Sequence, residues 1–286
     1  METAKIPPQD DLRLRWLISA PVPRSLTEYV GRRLFRLLLT IEGIGAFALI
    51  TGATMIKKIG VGRAIIRPLI RRESARAGVR LLPMFFFLAL LLGFAVIGQT
   101  VSWLSQLGST EYLGRVMVVV VVRELGPLLT ALLVLLRCGT ANVIELGTAR
   151  ALGEVEALEA VGIDPIHYLV VPRVVGMALG VFSLTVFLIV SSLISGYFWA
   201  FLQDIPLPPG DYFRQLAVAL GPLDFLVVAL KSACFGALIA AITCYHGLAQ
   251  PLRLEQVSGA TISALVQSLI ACVVTDALFI LLYLLM

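Results

Sequence analysis

From Val174 to Gln203 the chain runs for thirty residues without a charged side chain. A helix rises 1.5 Å per residue, so about 20 apolar residues suffice to cross the hydrocarbon of a bilayer. Four further segments meet that length, at roughly 83–104, 114–138, 222–246 and 260–286, and the uncharged run sits in a fifth at 172–202. With 59% hydrophobic residues, 14% charged and a mean hydropathy of +0.95, the composition excludes an ordinary water-soluble domain. The expected fold class is an all-α integral membrane protein.

Charge sets the expected orientation. Of 23 Lys and Arg residues, 15 precede residue 81, in stretches such as "GRRLFR" (31–36) and "RPLIRRESAR" (67–76). Basic clusters beside spans are retained on the cytoplasmic side and attract anionic lipid. No aromatic or glycine-rich pattern interleaves these arginines, which argues against nucleic acid as a partner. The first twenty residues carry Asp10, Asp11, Arg13 and Arg15 and build no signal-peptide core, so the N-terminus is expected inside and uncleaved. Five spans then turn the links 105–113 and 203–221 outward, 139–171 and 247–259 inward, and the C-terminus outside. The segment 37–56 is apolar but contains Glu42 and several glycines between basic flanks, and it reads as an amphipathic helix in the inner interface, with a sixth span as the other reading. Three regions follow: a basic cytoplasmic arm (1–36), an interfacial helix with a basic linker (37–80) and a five-span domain (81–286).

Charges inside the apolar runs carry the functional signal. An ionised group at bilayer depth costs roughly 2.5–3.5 kcal/mol on insertion scales, so it persists only facing protein or a watery cavity. Arg123, Glu124, Lys231 and Asp276 are such groups. Arg123 and Glu124 point about 100° apart on a helix and need partners elsewhere, for which Lys231, Asp276 or a second copy of the chain are candidates. Pro127 removes a backbone hydrogen bond one turn past Arg123 and should bend the helix. The cluster is either a structural set of ion pairs or a polar patch in an apolar cavity, suited to a ligand with a charged head and hydrocarbon tails. Small-residue spacings, Gly176 with Gly180 and Ser192 with Gly196, allow close helix packing in lipid.

The inward link contains "ELGTARALGEVEALEAVG" (145–162), whose period predicts one amphipathic helix ended by "IDP" at 163–165. Glu145, Glu156 and Glu159 gather on one face, with Arg150 and Glu154 on the far flank. Such a helix is either a solvated turn or a lever for a soluble partner. No GxxxxGK[ST] loop occurs, so nucleotide energy would come from another protein. Cys138, Cys234, Cys244 and Cys272 lack metal spacing, His167 and His246 stand alone near span ends, and no arrangement argues for a catalytic residue or a metal.

The string from Arg123 to Gly176 resembles the MlaE-type (YrbE) permeases of bacterial lipid ABC transporters, which occur with MCE-domain proteins. The matching elements are "RELGP" at 123–127, Arg137-x-Gly139, "ELGT" at 145–148, "EALEAVGIDP" at 156–165 and "VVPR" at 170–173, with weaker similarity over residues 60–286. The resemblance implies a homodimeric permease in the bacterial inner membrane with an N-terminal interfacial helix, five spans and a cytoplasmic coupling helix between the second and third. It implies no cofactor in this chain; ATP and Mg would belong to two partner ATPase subunits, and a periplasmic MCE-domain protein, a hexameric ring, would exchange phospholipid with the permease. The substrate-binding residues implied are Gly93, Val96 and Gln99 on the first span with Arg123, Glu124 and Lys231, while Pro127 and Asp276 are structural. Glu145, Arg150, Glu154, Glu156 and Glu159 would meet the ATPase. The chain departs from the family in having Leu152, Gly153 and Glu154 where T-E-Q is usual, and Leu136 where a glycine is usual. Two other readings are an ion-coupled secondary transporter in which Glu124 and Asp276 take protons, and a scaffold that anchors an ATPase and an MCE protein.

Overall fold

The computed structural model describes residues 24–57, 63–108, 112–202, 208–248 and 254–285. These residues are almost entirely helical, and contacts divide the chain into two units, Met1–Phe47 and Ala48–Met286. The first contains most of α1 (Arg24–Lys57), a single helix of 34 residues that covers the segment expected at 37–56 and begins well before it. Residues 1–23 of the basic arm lie outside the described residues.

In the second unit five helices are long and apolar enough to cross a membrane: α2 (Ala64–Gln106), α3 (Leu113–Ala151), α5 (Ile166–Leu202), α7 (Pro222–Leu248) and α8 (Leu254–Leu285). Each takes in one of the five segments expected from hydropathy, with α2 beginning well before 83 and α3 running well past 138. Two short helices complete it, α4 (Glu154–Ala160) and α6 (Pro209–Ala219).

Helix α5 is the hub, packing on α2, α3 and α7. Lipid tails are as apolar as leucine, so helices in a bilayer associate through close backbone approach at small residues. Along α5 those residues face α2. A Cβ at Gly176 would stand 2.6 Å from the Cβ of Glu73, one at Gly180 would be 2.7 Å from that of Ala77, and one at Gly196 would be 2.3 Å from Ile97. Gly93 of α2 answers from the other side, since a Cβ there would fall 1.8 Å from Ser195 Oγ. Ser195 Oγ also donates to the Ala89 carbonyl at 3.1 Å. Two buried clusters stack along this axis. One centres on Phe85, Val134, Leu184 and Phe235, the other on Ile97, Met117, Val121 and Tyr212.

One expectation about the links is corrected, and a second link gains a helix. The helix predicted over 145–162 is not continuous: α3 runs on through Ala151, the chain turns at Leu152–Gly153, and α4 begins at Glu154. Gly153 has φ +78°, a left-handed conformation that glycine adopts without steric penalty and that ends a helix. Helical period survives such a turn, which is why periodicity alone merged the two pieces. The link 203–221, for which the sequence reading named no element, contains α6 from Pro209, whose Tyr212 and Leu216 fall one turn apart and are both buried.

Candidate functional site

The four charges singled out in the apolar runs converge, and a fifth joins them. The geometry begins with the backbone. Val118–Leu125 of α3 is a π-helical stretch followed by Gly126 and Pro127, and Pro127 has no N–H to offer the Arg123 carbonyl one turn back. That carbonyl instead accepts a hydrogen bond from Lys231 Nζ at 2.9 Å. The same ammonium donates to Glu124 Oε2 at 2.9 Å and pairs with Asp276 Oδ1 at 2.7 Å. Two N–H groups of the ammonium donate hydrogen bonds, and its contact with Asp276 is an ion pair. Lys231 is 2% exposed, so these acceptors replace water.

Arg123 turns the other way. Its Nε lies 2.8 Å from Asp224 Oδ1, and its guanidinium stacks 4.1 Å above the ring centroid of Tyr283. Asp224 Oδ2 also accepts from the Gly221 backbone N–H at 2.8 Å, which closes the first turn of α7. The two Nη groups of Arg123 meet no acceptor among the described residues. Asp224 and Lys231 are seven residues apart on α7, as Asp276 and Tyr283 are on α8; seven residues is two turns, so each pair shares one helix face. Two rungs result, Arg123 with Asp224 and Tyr283, and Glu124 with Lys231 and Asp276. Adjacent residues of α3 feed both. Three carboxyl groups stand against two basic groups in the layer. Glu124 keeps 35% of its side chain exposed and Arg123 18%, so the open side lies toward α3.

The first-span residues are placed unequally. Gly93 is buried against α5, Val96 is half-buried against the second apolar cluster, and Gln99 is exposed. Gly93 is therefore a helix contact in this chain.

At the other end of α3 a second ionic group forms. Glu145 accepts from Arg76 Nη1 at 2.8 Å and from its Nη2, and from Arg173 Nη2 at 3.1 Å, joining α2, α3 and α5. Arg150 and Glu156 pair at 3.2 Å across the Gly153 turn. Glu154 and Glu159 are exposed on α4, while Val155 anchors it at 1% exposure. Between α4 and the start of α5 lies an apolar cleft of about 490 Å³ lined by residues including Val155, Leu158, Val161, Tyr168 and Leu169.

Sequence reading paired Lys231 and Asp276 with the Arg-Glu dipeptide and missed Asp224 and Tyr283. Asp224 stands two residues past Pro222, where an acid in a first helical turn is ordinary, and Tyr283 stands near a span end, where aromatics are common. The i, i+7 repeat of Asp224 with Lys231 was the available signal.

The family model described as "Permease MlaE" matches residues 70–282. A probable ABC transporter permease protein of Rickettsia felis is 27% identical over 259 residues, 89% of this chain and 96% of its own length. The chloroplastic protein TRIGALACTOSYLDIACYLGLYCEROL 1 of Arabidopsis thaliana is 30% identical over 207 residues, 72% of this chain and 58% of that protein. A probable ABC transporter permease protein of Synechocystis is 35% identical over 174 residues, 59% of this chain and 64% of its own.

Proposed function

The chain belongs to the MlaE permease family, and from that premise we propose that it carries phospholipid between the inner membrane and a periplasmic MCE-domain protein. As an ABC permease it is the membrane-embedded transport subunit of a lipid transporter. ATP and Mg would be bound by two partner ATPase subunits. Two copies of the chain would enclose the lipid path, with the N-terminus cytoplasmic and the C-terminus periplasmic.

The observation that carries the cargo assignment is the unequal state of the two buried cations. Lys231 is enclosed by the Arg123 carbonyl, Glu124 and Asp276, whereas Arg123 is held by one edge and one face with its Nη edge unfilled among the described residues. A guanidinium pinned this way matches a phosphate, which it can meet with two parallel N–H groups. In this reading Arg123 meets the head group, Asp224 and Tyr283 aim it, and Lys231 acts only by holding Glu124 and Asp276. Gln99 and Val96 would border the tails. At the cytoplasmic end Glu154, Glu156 and Glu159 with Arg150 would dock α4 on the ATPase, and Glu145 would brace the helices behind it.

Phospholipid retained by the purified protein, together with lipid transfer in vesicles carrying its ATPase, tests the reading. Arg123→Gln should remove the bound phospholipid and at least about tenfold of the transfer rate, the equivalent of about 1.4 kcal/mol, with partial recovery in Arg123→Lys. Unchanged retention and transfer in a folded Arg123→Gln protein would leave the ion pairs a purely structural role. Transfer that persists with no ATPase present would favour ion coupling.

A further inference from the structure

A second cationic site lies at the other end of α3 from α4, apart from the layer around Lys231. Helix α6 is fixed there. Tyr212 is fully buried and donates from its hydroxyl to the Leu193 carbonyl of α5 at 3.1 Å, and Leu216 is buried beside it. Burial holds the Tyr212 phenol well above its usual pKa, so it stays a donor at any physiological pH. Gly114 of α3 permits the close crossing, since a Cβ there would stand 2.5 Å from the Gln215 carbonyl oxygen. Beside this crossing opens a cleft of about 490 Å³, lined by Tyr112, Arg115, Arg214, Gln215, Val218 and Ala219.

The lining is mixed in a specific way. Arg115 and Arg214 bring two positive charges. Asp211 offsets part of one, at 3.4 Å from Arg214, and Arg115 has no carboxylate against it among the described residues. Val218, 82% exposed, and Ala219 supply an apolar side, and Tyr112 supplies a ring with a hydroxyl. Depth narrows the ligand further. Arg115 is two residues past the start of α3 and Ala219 three residues before the start of α7, so the cleft lies where spans begin, at head-group level. Arg115 is eight residues from Arg123, roughly 12 Å along the helix, too far to serve the same phosphate. We propose that this cleft binds the phosphate of a glycerophospholipid in the adjoining leaflet, with Arg115 and Arg214 on the phosphate and Val218 and Ala219 against the glycerol and the first methylenes. The proposal concerns binding alone and stands whether or not the chain moves lipid.

Native mass spectrometry of the full-length protein, delipidated in a neutral detergent, tests it with three probes: short-chain phosphatidylethanolamine, dioctanoylglycerol and inorganic phosphate. The wild type should hold phosphatidylethanolamine and not dioctanoylglycerol. The double variant Arg115→Gln/Arg214→Gln should bind it about tenfold more weakly, Arg115→Lys/Arg214→Lys should keep most of the binding, and Arg80→Gln, on α2, should match the wild type. Because Arg123 remains in the double variant, a second lipid bound there is separated by combining it with Arg123→Gln. Equal binding in the double variant and wild type, or equal retention of dioctanoylglycerol, would overturn the proposal. Full displacement of the lipid by millimolar inorganic phosphate would also overturn it, leaving a site for the free anion.

Discussion

Two ionic clusters tie the helices of this molecule together, and they are built from the same groups at different depths. In the layer around Lys231 the central cation is 2% exposed and lies against a backbone carbonyl and two carboxylates. In the clasp around Glu145 the central carboxylate is 45% exposed and holds Arg76, 24% exposed, and the buried Arg173. Breaking the first strands the buried charge of Lys231, whereas Glu145 and Arg76 in the second can trade their contact for water at little cost. The deep cluster is therefore a fixed joint between α3, α7 and α8, and the shallow one can open and close beside α4, the part expected to move with a partner.

The comparison is broken most severely by Lys231→Met. Removing the cation leaves Glu124 and Asp276 facing each other and the Arg123 carbonyl without a donor, and unfolding free energy should fall by about 3–5 kcal/mol. Denaturant titration in mixed micelles measures it. Adding Glu124→Gln and Asp276→Asn should return much of the loss, and a single-variant loss below about 1 kcal/mol would mean that the layer is hydrated and no different from the clasp.

The Arg123 rung should come next. Arg123→Gln leaves Asp224, with 4% of its side chain exposed, one hydrogen bond from Gly221 and no counter-ion, so a loss of about 1–3 kcal/mol is expected. Asp224→Asn frees Arg123, and the double variant should cost less than the sum of the two. A cycle showing no coupling would separate the residues despite their 2.8 Å contact.

How much of this could be read from sequence follows from the same physics. A charge within an apolar run is costly enough to announce itself, which made Arg123, Glu124, Lys231 and Asp276 legible, and the five spans were legible from length and hydropathy. Asp224 was hidden because an acid in the first turn of a helix has a local explanation. Pro127 showed that a carbonyl was orphaned but not that the side chain of Lys231, more than a hundred residues on, would fill it. Gly153 read as a weak helix former, while its role depends on a positive φ that no spacing rule encodes. Gly93 was assigned to the lipid wall by resemblance; its close contact with Ser195 depends on which face of α2 meets α5.

That turn supplies the third test. Gly153→Ala forces a side chain into the left-handed region at φ +78°, with nothing nearby to obstruct the methyl group itself, so the cost is backbone strain of about 1–2 kcal/mol. If α4 is the movable element, the strain should appear as faster amide exchange over 152–160 with little change around Lys231. Uniform loosening of both ends would erase the distinction drawn between them.

The smallest effect is the sharpest discriminator. Glu145→Gln deletes the charge that Arg76 and Arg173 share but keeps an amide able to accept from either, and Arg76 can turn to water. The stability change should stay below about 1 kcal/mol. Salt then tells the two clusters apart. At 1 M the screening length falls to about 3 Å, so the difference between Glu145→Gln and wild type should shrink toward zero, while the loss from Lys231→Met should hold because mobile ions do not reach an ammonium that is 2% exposed. A Glu145→Gln effect that resists salt would mean that the clasp is closed off from solvent in the assembled protein, and the inner end would then be as rigid a joint as the deep one.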